Sequence, residues 1–296
     1  MIELVEVSPR DGLQNETAIL SAATKVALIE RAVASGIRRI EVASFVNPSR
    51  VPQMADAEAV IAALRLDPAI RTIGLVLNER GAKRALATNI GEIGLVVPMT
   101  DGFAIANQGM SAEGCAAMAE RVLAEAREAG RPAQVTLAVA FGCPFDGAVD
   151  PLRVVAMARR LAGSPIREIS LADTIGIARP DEAGRLVALV RDAVAPLPVR
   201  VHFHDTHGMG VANSVAAAAA GAATIDAAIG GTGGCPFAPG AAGNVASEDI
   251  AYAFGDRIAG GIDVDQLVDT GCWLNGKLGR ASESAVMRAT IAARNR

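Results

Sequence analysis

Short β-branched runs alternate with alanine- and leucine-rich amphipathic stretches along the whole chain, and this repeated order constrains the fold more than any single residue does. Strand runs separated each time by a helix-length segment are joined by crossovers and therefore lie parallel. The strand candidates are Leu4–Val7, Arg39–Val42, Thr72–Val76, Ile93–Val97, Gln134–Ala140, Glu168–Ala172, Val199–His204 and Thr224–Ile229. Helical periodicity fills 22–35, 54–66, 80–88, 112–129, 151–162, 180–194 and 209–220. Eight such units predict an α/β fold, the TIM (β/α)8 barrel. A doubly wound sheet would carry a glycine-rich phosphate turn after its first strand, and here that position reads Ser8-Pro9-Arg10-Asp11-Gly12. Further helical patterns near 264–279 and 282–293 follow without a proline- or serine-rich linker. The expected organisation is one domain over 1–296, with 260–296 a helical addition packed on the barrel.

Composition narrows the class of ligand. A net charge of −4 with three lysines, Lys25, Lys83 and Lys277, supplies no basic stripe for nucleic acid or an anionic membrane. Aromatic residues make up 3%, too few for base-stacking platforms. No uncharged run reaches the roughly eighteen apolar residues of a membrane span, and the chain opens directly into Ile2-Glu3-Leu4-Val5-Glu6-Val7 rather than a signal peptide. A cytoplasmic protein acting on a small molecule is expected. Cys115, Cys143, Cys235 and Cys272 lie far apart with no C-x-x-C pair, so free thiols are expected.

Barrel chemistry sits at the C-terminal ends of the strands, and the unusual polar residues fall there. Strand one runs into Arg10-Asp11-Gly12-Leu13-Gln14-Asn15-Glu16, strand two ends at Glu41, strand six at Asp173-Thr174, and strand seven at Val201-His202-Phe203-His204-Asp205. Residues i and i+2 of a strand share a face, so His202 and His204 point the same way. Strand eight empties into Gly230-Gly231-Thr232-Gly233-Gly234-Cys235-Pro236, which continues to Gly243-Asn244. Closure brings strand eight beside strand one, so Asp11, His202, His204 and Asn244 can surround one point. Two imidazoles, a carboxylate and an amide oxygen suit an octahedral divalent ion, Mg²⁺ or Mn²⁺; zinc is less favoured because the set has no thiolate. Arg10 reads as a fixed cation for a developing enolate oxygen, or as the ion-pair partner of Asp11. Glu41 and Asp173 are either strand-end acids or proton-handling groups. Cys235, in a glycine-rich loop over the barrel mouth, is a candidate lid-borne acid or base.

Together Ser8 to Glu16, Ser44-Phe45-Val46 with Val51-Pro52-Gln53-Met54, Asp173-Thr174-Ile175-Gly176, His202 to Asp205, and Gly233-Gly234-Cys235-Pro236 with Gly243-Asn244 resemble the 3-hydroxy-3-methylglutaryl-CoA lyases. The resemblance implies retro-Claisen cleavage of a 3-hydroxy-3-methylglutaryl thioester to acetyl-CoA and acetoacetate. It implies metal ligation by Asp11, His202, His204 and Asn244, and an enolate held by the metal and Arg10. Cys235 would take part in proton transfer, with Glu41 and Asp173 as supporting acids. Gln14, in the first motif, and Asn107, after strand four, are the further candidates for substrate contact, beside Arg10. The chain departs from the family's usual pattern in three places. No lysine occurs in Asp101 to Met110, Thr17 replaces a common lysine, and Thr206-His207-Gly208-Met209-Gly210 replaces a Tyr-Gly-Gln version. A longer or differently substituted 3-hydroxyacyl-CoA is thus the alternative substrate. A condensing 2-oxo-acid synthase is disfavoured, because such enzymes carry a Gly-Glu-Arg-type loop after strand eight and a regulatory domain. A homodimer through exposed barrel helices is the expected assembly.

Overall fold

The structure, a computed structural model, describes residues 1–234, 243–281 and 284–294. Its strands are β1 (Glu3–Glu6), β2 (Arg39–Ser44), β3 (Arg71–Val76), β4 (Glu92–Pro98), β5 (Ala133–Ala138), β6 (Ile169–Asp173), β7 (Val199–Phe203) and β8 (Thr224–Ala227). Each pairs in parallel with the next, and β8 closes on β1 through Glu3 opposite Thr224 and Val5 opposite Asp226. This is the TIM barrel that the alternation predicts. Around it run α1 (Ala22–Ala34), α2 (Ala57–Ala63), α3 (Glu79–Leu86), α4 (Asp101–Gln108), α5 (Ala112–Glu128), α6 (Pro151–Ala162), α7 (Pro180–Val194), α8 (Gly210–Ala219), α9 (Ser247–Phe254), α10 (Val264–Leu278) and α11 (Ala285–Arg294). One apolar cluster reaches from Leu4 to Leu274. Helix α10 packs on α1, and α11 packs on α9 and α10. No described helix is long and apolar enough to cross a membrane.

Three elements depart from the sequence expectation, and each shapes the barrel mouth. After β1 the chain makes a wide π-helical turn, Ser8–Gly12, in which the amides of Arg10, Asp11 and Gly12 converge on the Val7 carbonyl. Helix α4 is only eight residues long, contains Gly102, and ends at Gly109 with φ +75°, so its periodicity is too short to read. Helix α9, which begins at Ser247, lies in a stretch to which the sequence reading assigns no helix. The segment before it lies along the end of β7, with Asp205 N–H donating to Gly243 O (3.0 Å) and Val245 N–H to Phe203 O (3.1 Å).

The barrel interior carries an ionic network beside the buried aliphatics Val5, Val7 and Ile73. Arg39, fully buried, pairs with Glu92 (2.5 Å), Glu168 (2.8 Å) and Glu3 (3.0 Å) and donates to Gln134 (2.9 Å). Arg200 pairs with Asp226 (2.5 Å) and donates to Gln134 (2.8 Å). Buried charges persist only when paired and hydrogen-bonded, and this network meets that condition.

Two further buried carboxylates fasten the turn after β8. Glu6 accepts from Ser8 N–H (2.8 Å), Ile229 N–H (3.1 Å) and Ser247 Oγ (2.5 Å), while Glu248 accepts from Gly230 N–H (3.2 Å). Burial pushes the Glu248 carboxyl up from 4.5 to about 8, with the nearby Asp249 and Glu6 adding to the rise and backbone hydrogen bonds opposing it. The folded state therefore holds this proton more tightly than the unfolded chain. Its contribution to stability is complete below about pH 4.5 and is lost as pH rises towards about 8. Glu248→Gln keeps an acceptor for Gly230 and is predicted to flatten that decline, by roughly 2–5 kcal/mol between the two ends of the window. Urea midpoints of both proteins at the two pH values check this, and equal slopes would contradict it.

Candidate active site

The turn after β1 carries Arg10 and Asp11 into the barrel mouth. Arg10 Nη1 pairs with Asp11 Oδ1, and Arg10 Nη2 pairs with Glu41 Oε2 at 2.6 Å. The guanidinium plane is thus fixed by two carboxylates. The second Asp11 oxygen is left facing the histidines, 3.8 Å from His202 Nε2 and 3.9 Å from His204 Nε2. Burial pushes the Asp11 carboxyl up, but Arg10, both imidazoles and the Asn244 amide outweigh it and hold the carboxyl well below the usual carboxylate range. Asp11 is thereby held in its ionised form around neutral pH.

Asn244 joins the cluster because the extended segment before α9 bridges His204. Its Nδ2 donates to Asp11 Oδ2 (2.8 Å) and Thr232 O (3.1 Å), while its buried Oδ1 has no hydrogen-bond partner among the described residues. Gly233 makes this approach possible. Its φ is +113°, and a Cβ there would stand 2.7 Å from Asn244 Nδ2.

Arg10, Asp11, Gln14, Glu41, Asn107, His202 and His204 line one open pocket of about 900 Å³. Its opposite wall is apolar, made by Leu75, Leu77, Val96, Phe103, Ala138 and Ala172. Helix α4 supplies both Phe103 and Asn107, and Phe103 packs against Phe145 with ring centroids 6.3 Å apart. Gly234 also lines the pocket; Cys235, which follows it, lies outside the described residues. Cys115, Cys143 and Cys272 are free thiols.

Asp173 is the expected site residue that the structure places elsewhere. Ala172 is in register with His202, so Asp173 sits beside Phe203 on the other face of the sheet. Its oxygens accept from Ile177 N–H (3.0 Å) and Ala178 N–H (2.9 Å), holding the loop after β6. Of the two readings left open for Asp173, strand-end acid and proton-handling group, these contacts are those of the strand-end acid.

Asp226 and Arg200 were not foreseen as pocket residues, yet both line it. The available signal is an isolated acid, Asp226, inside the otherwise apolar strand Thr224-Ile225-Asp226-Ala227, and an arginine two residues before His202.

Asp11, His202 and His204 place one donor atom each within 4.8 Å of the others, the group of this kind among the described residues. The donor set fits a divalent cation: a carboxylate held ionised, two imidazole Nε2 atoms, and a buried amide oxygen without a partner beside them. The carboxylate oxygen facing both rings gives the cation a charge partner as well as geometry.

A TIM barrel with such a site at the C-terminal ends of its strands defines a class: the divalent-metal-dependent barrel enzymes. The sequence profile of the HMGL-like family matches residues 1–272, and the chain belongs to that family of carbon–carbon lyases. It is 40% identical to the (R)-citramalyl-CoA lyase of Chloroflexus aurantiacus, over 97% of this chain and 94% of that protein. It is 38% identical to the 3-hydroxy-3-isohexenylglutaryl-CoA/hydroxy-methylglutaryl-CoA lyase of Pseudomonas aeruginosa, over 98% of this chain and 97% of that one. The crystal structure of hydroxymethylglutaryl-CoA lyase from Pseudomonas aeruginosa superposes with a TM-score of 0.94 at 38% identity, covering 99% and 98% of the two chains.

Proposed function

We propose that this protein cleaves 3-hydroxy-3-methylglutaryl-CoA to acetyl-CoA and acetoacetate. The observation that carries the reading is Asp11 Oδ2 facing both histidine Nε2 atoms while Arg10 pairs with the other Asp11 oxygen, all at the mouth of one pocket. A bound Mg²⁺ or Mn²⁺, held by Asp11, His202, His204 and Asn244, would supply Lewis acidity beside the substrate oxygens. In the reaction the C3 hydroxyl loses its proton, and the C2–C3 electron pair passes into the thioester as an enolate. Protonation at C2 then gives acetyl-CoA. Arg10, locked between Asp11 and Glu41, stabilises the negative charge that develops on the enolate oxygen. Glu41 lines the pocket and handles protons there, and Cys235 shares in that transfer. Gln14 and Asn107 orient the thioester, and the apolar wall receives the C3 methyl group. The reading includes a cytoplasmic setting and a homodimer.

A second reading is (R)-citramalyl-CoA as substrate, favoured by the 40% identity to a lyase of that name. That thioester lacks one methylene between the carbinol carbon and the carboxylate, and its cleavage releases pyruvate rather than acetoacetate. Assays of both esters with Mg²⁺ or Mn²⁺ separate the readings. The expected result is acetoacetate release with kcat/KM at least about tenfold above pyruvate release, the scale of one methylene in a fitted pocket. The reverse ranking would transfer the assignment to citramalyl-CoA.

A further inference from the structure

Strand β8 places Asp226 in register with His202 of β7, so the two side chains share the interior face of the barrel. Asp226 is buried, and both of its oxygens are engaged. Oδ2 lies 3.1 Å from His202 Nδ1, and Oδ1 accepts from Arg200 Nε at 2.5 Å. Arg200 is itself held, since Nη1 donates to Gln134 Oε1 at 2.8 Å and lies 3.5 Å from Glu168. The carboxylate therefore cannot turn away from the imidazole without breaking a buried ion pair.

We propose that Asp226, oriented by Arg200, is a positioning residue that fixes the His202 ring with its proton on Nδ1 and its Nε2 lone pair aimed at the Asp11 oxygen. The inference rests on the reading of Asp11, His202 and His204 as a divalent-cation site. A carboxylate accepting from the far nitrogen of a ligating imidazole selects the tautomer, limits ring rotation and raises ligand basicity. A lone imidazole on β7 would divide its population between two tautomers, only one of which presents Nε2 as a donor. An ion pair serving only to neutralise Arg200 would make the same Asp226 to Arg200 bond, but would leave the choice of tautomer to chance.

The test compares wild type with Asp226→Ala, Asp226→Asn, Arg200→Met and the double variant Asp226→Ala/Arg200→Met, which removes both charges and avoids a stranded arginine. Mn²⁺ affinity is measured by the electron paramagnetic resonance of free Mn²⁺. The expected loss is about 10- to 100-fold in Asp226→Ala and in the double variant, with a smaller loss in Asp226→Asn, whose amide oxygen still accepts from Nδ1–H. Nitrogen-15 NMR of the metal-free proteins, on the neutral ring at alkaline pH, gives a readout independent of the metal. His202 is expected as the Nδ1–H tautomer in wild type and as a mixture in the double variant. Mn²⁺ affinity in the folded double variant equal to wild type, or an unchanged tautomer, would overturn the proposal. Failure of wild type itself to bind Mn²⁺ would instead overturn the metal-site reading, and the tautomer comparison would still decide what Asp226 does.

Discussion

Arg10→Gln is expected to lower kcat for thioester cleavage by about 10²–10³-fold, the cost of losing one fixed donor to a developing oxyanion. The guanidinium spans Asp11 and Glu41, so its position is set before substrate arrives. Loss of a cation beside Asp11 does not remove a ligand, so Mn²⁺ affinity should stay at or above that of wild type. The signature is thus a fall in kcat with metal binding intact, measured by steady-state kinetics on the metal-loaded variant. Arg10→Lys should recover little, because a single ammonium cannot hold two carboxylates with the geometry of a planar fork. A kcat within a few-fold of wild type in the glutamine variant would remove Arg10 from the chemistry.

His204→Ala is expected to abolish measurable turnover, by about 10³-fold or more, because the several kcal/mol that a Lewis acid supplies are lost with the metal. His204 lines the pocket and is not a member of the apolar cluster, so the variant should still fold, which its urea unfolding transition checks. The two variants are distinguishable: one loses the cation, and the other keeps it and loses the enolate's partner. A His204→Ala protein that binds Mn²⁺ as tightly as wild type would exclude His204 as a ligand.

Much of this architecture is legible in the sequence because a parallel barrel writes its strands as apolar runs and places its chemistry at their ends. The pairing of His202 with His204 follows from the two-residue period of a strand, and closure of β8 on β1 accounts for Asp11 meeting both. Where the reading fails, the missing information is three-dimensional. Asp173 and Ala172 are neighbours at the end of one strand, and only the register with β7 shows which of them faces the pocket; a shift of one residue exchanges the faces. Arg39, Glu92, Glu168 and Arg200 look out of place in buried strands until their mutual ion pairs are seen. Asp226 shows in the sequence only as an isolated acid inside a strand, because its role depends on the residue opposite it. Phe103 is hidden because α4 is too short for its period to register.

The most direct measurement follows acetyl-CoA and acetoacetate release from 3-hydroxy-3-methylglutaryl-CoA by protein treated with EDTA, before and after Mg²⁺ or Mn²⁺ is restored, with His204→Ala in parallel. The account predicts no release before metal is added, release afterwards, and none from the variant in either condition. Cleavage that survives chelation, or that persists in His204→Ala, would contradict the assignment of Asp11, His202 and His204 as a metal centre on which the reaction depends.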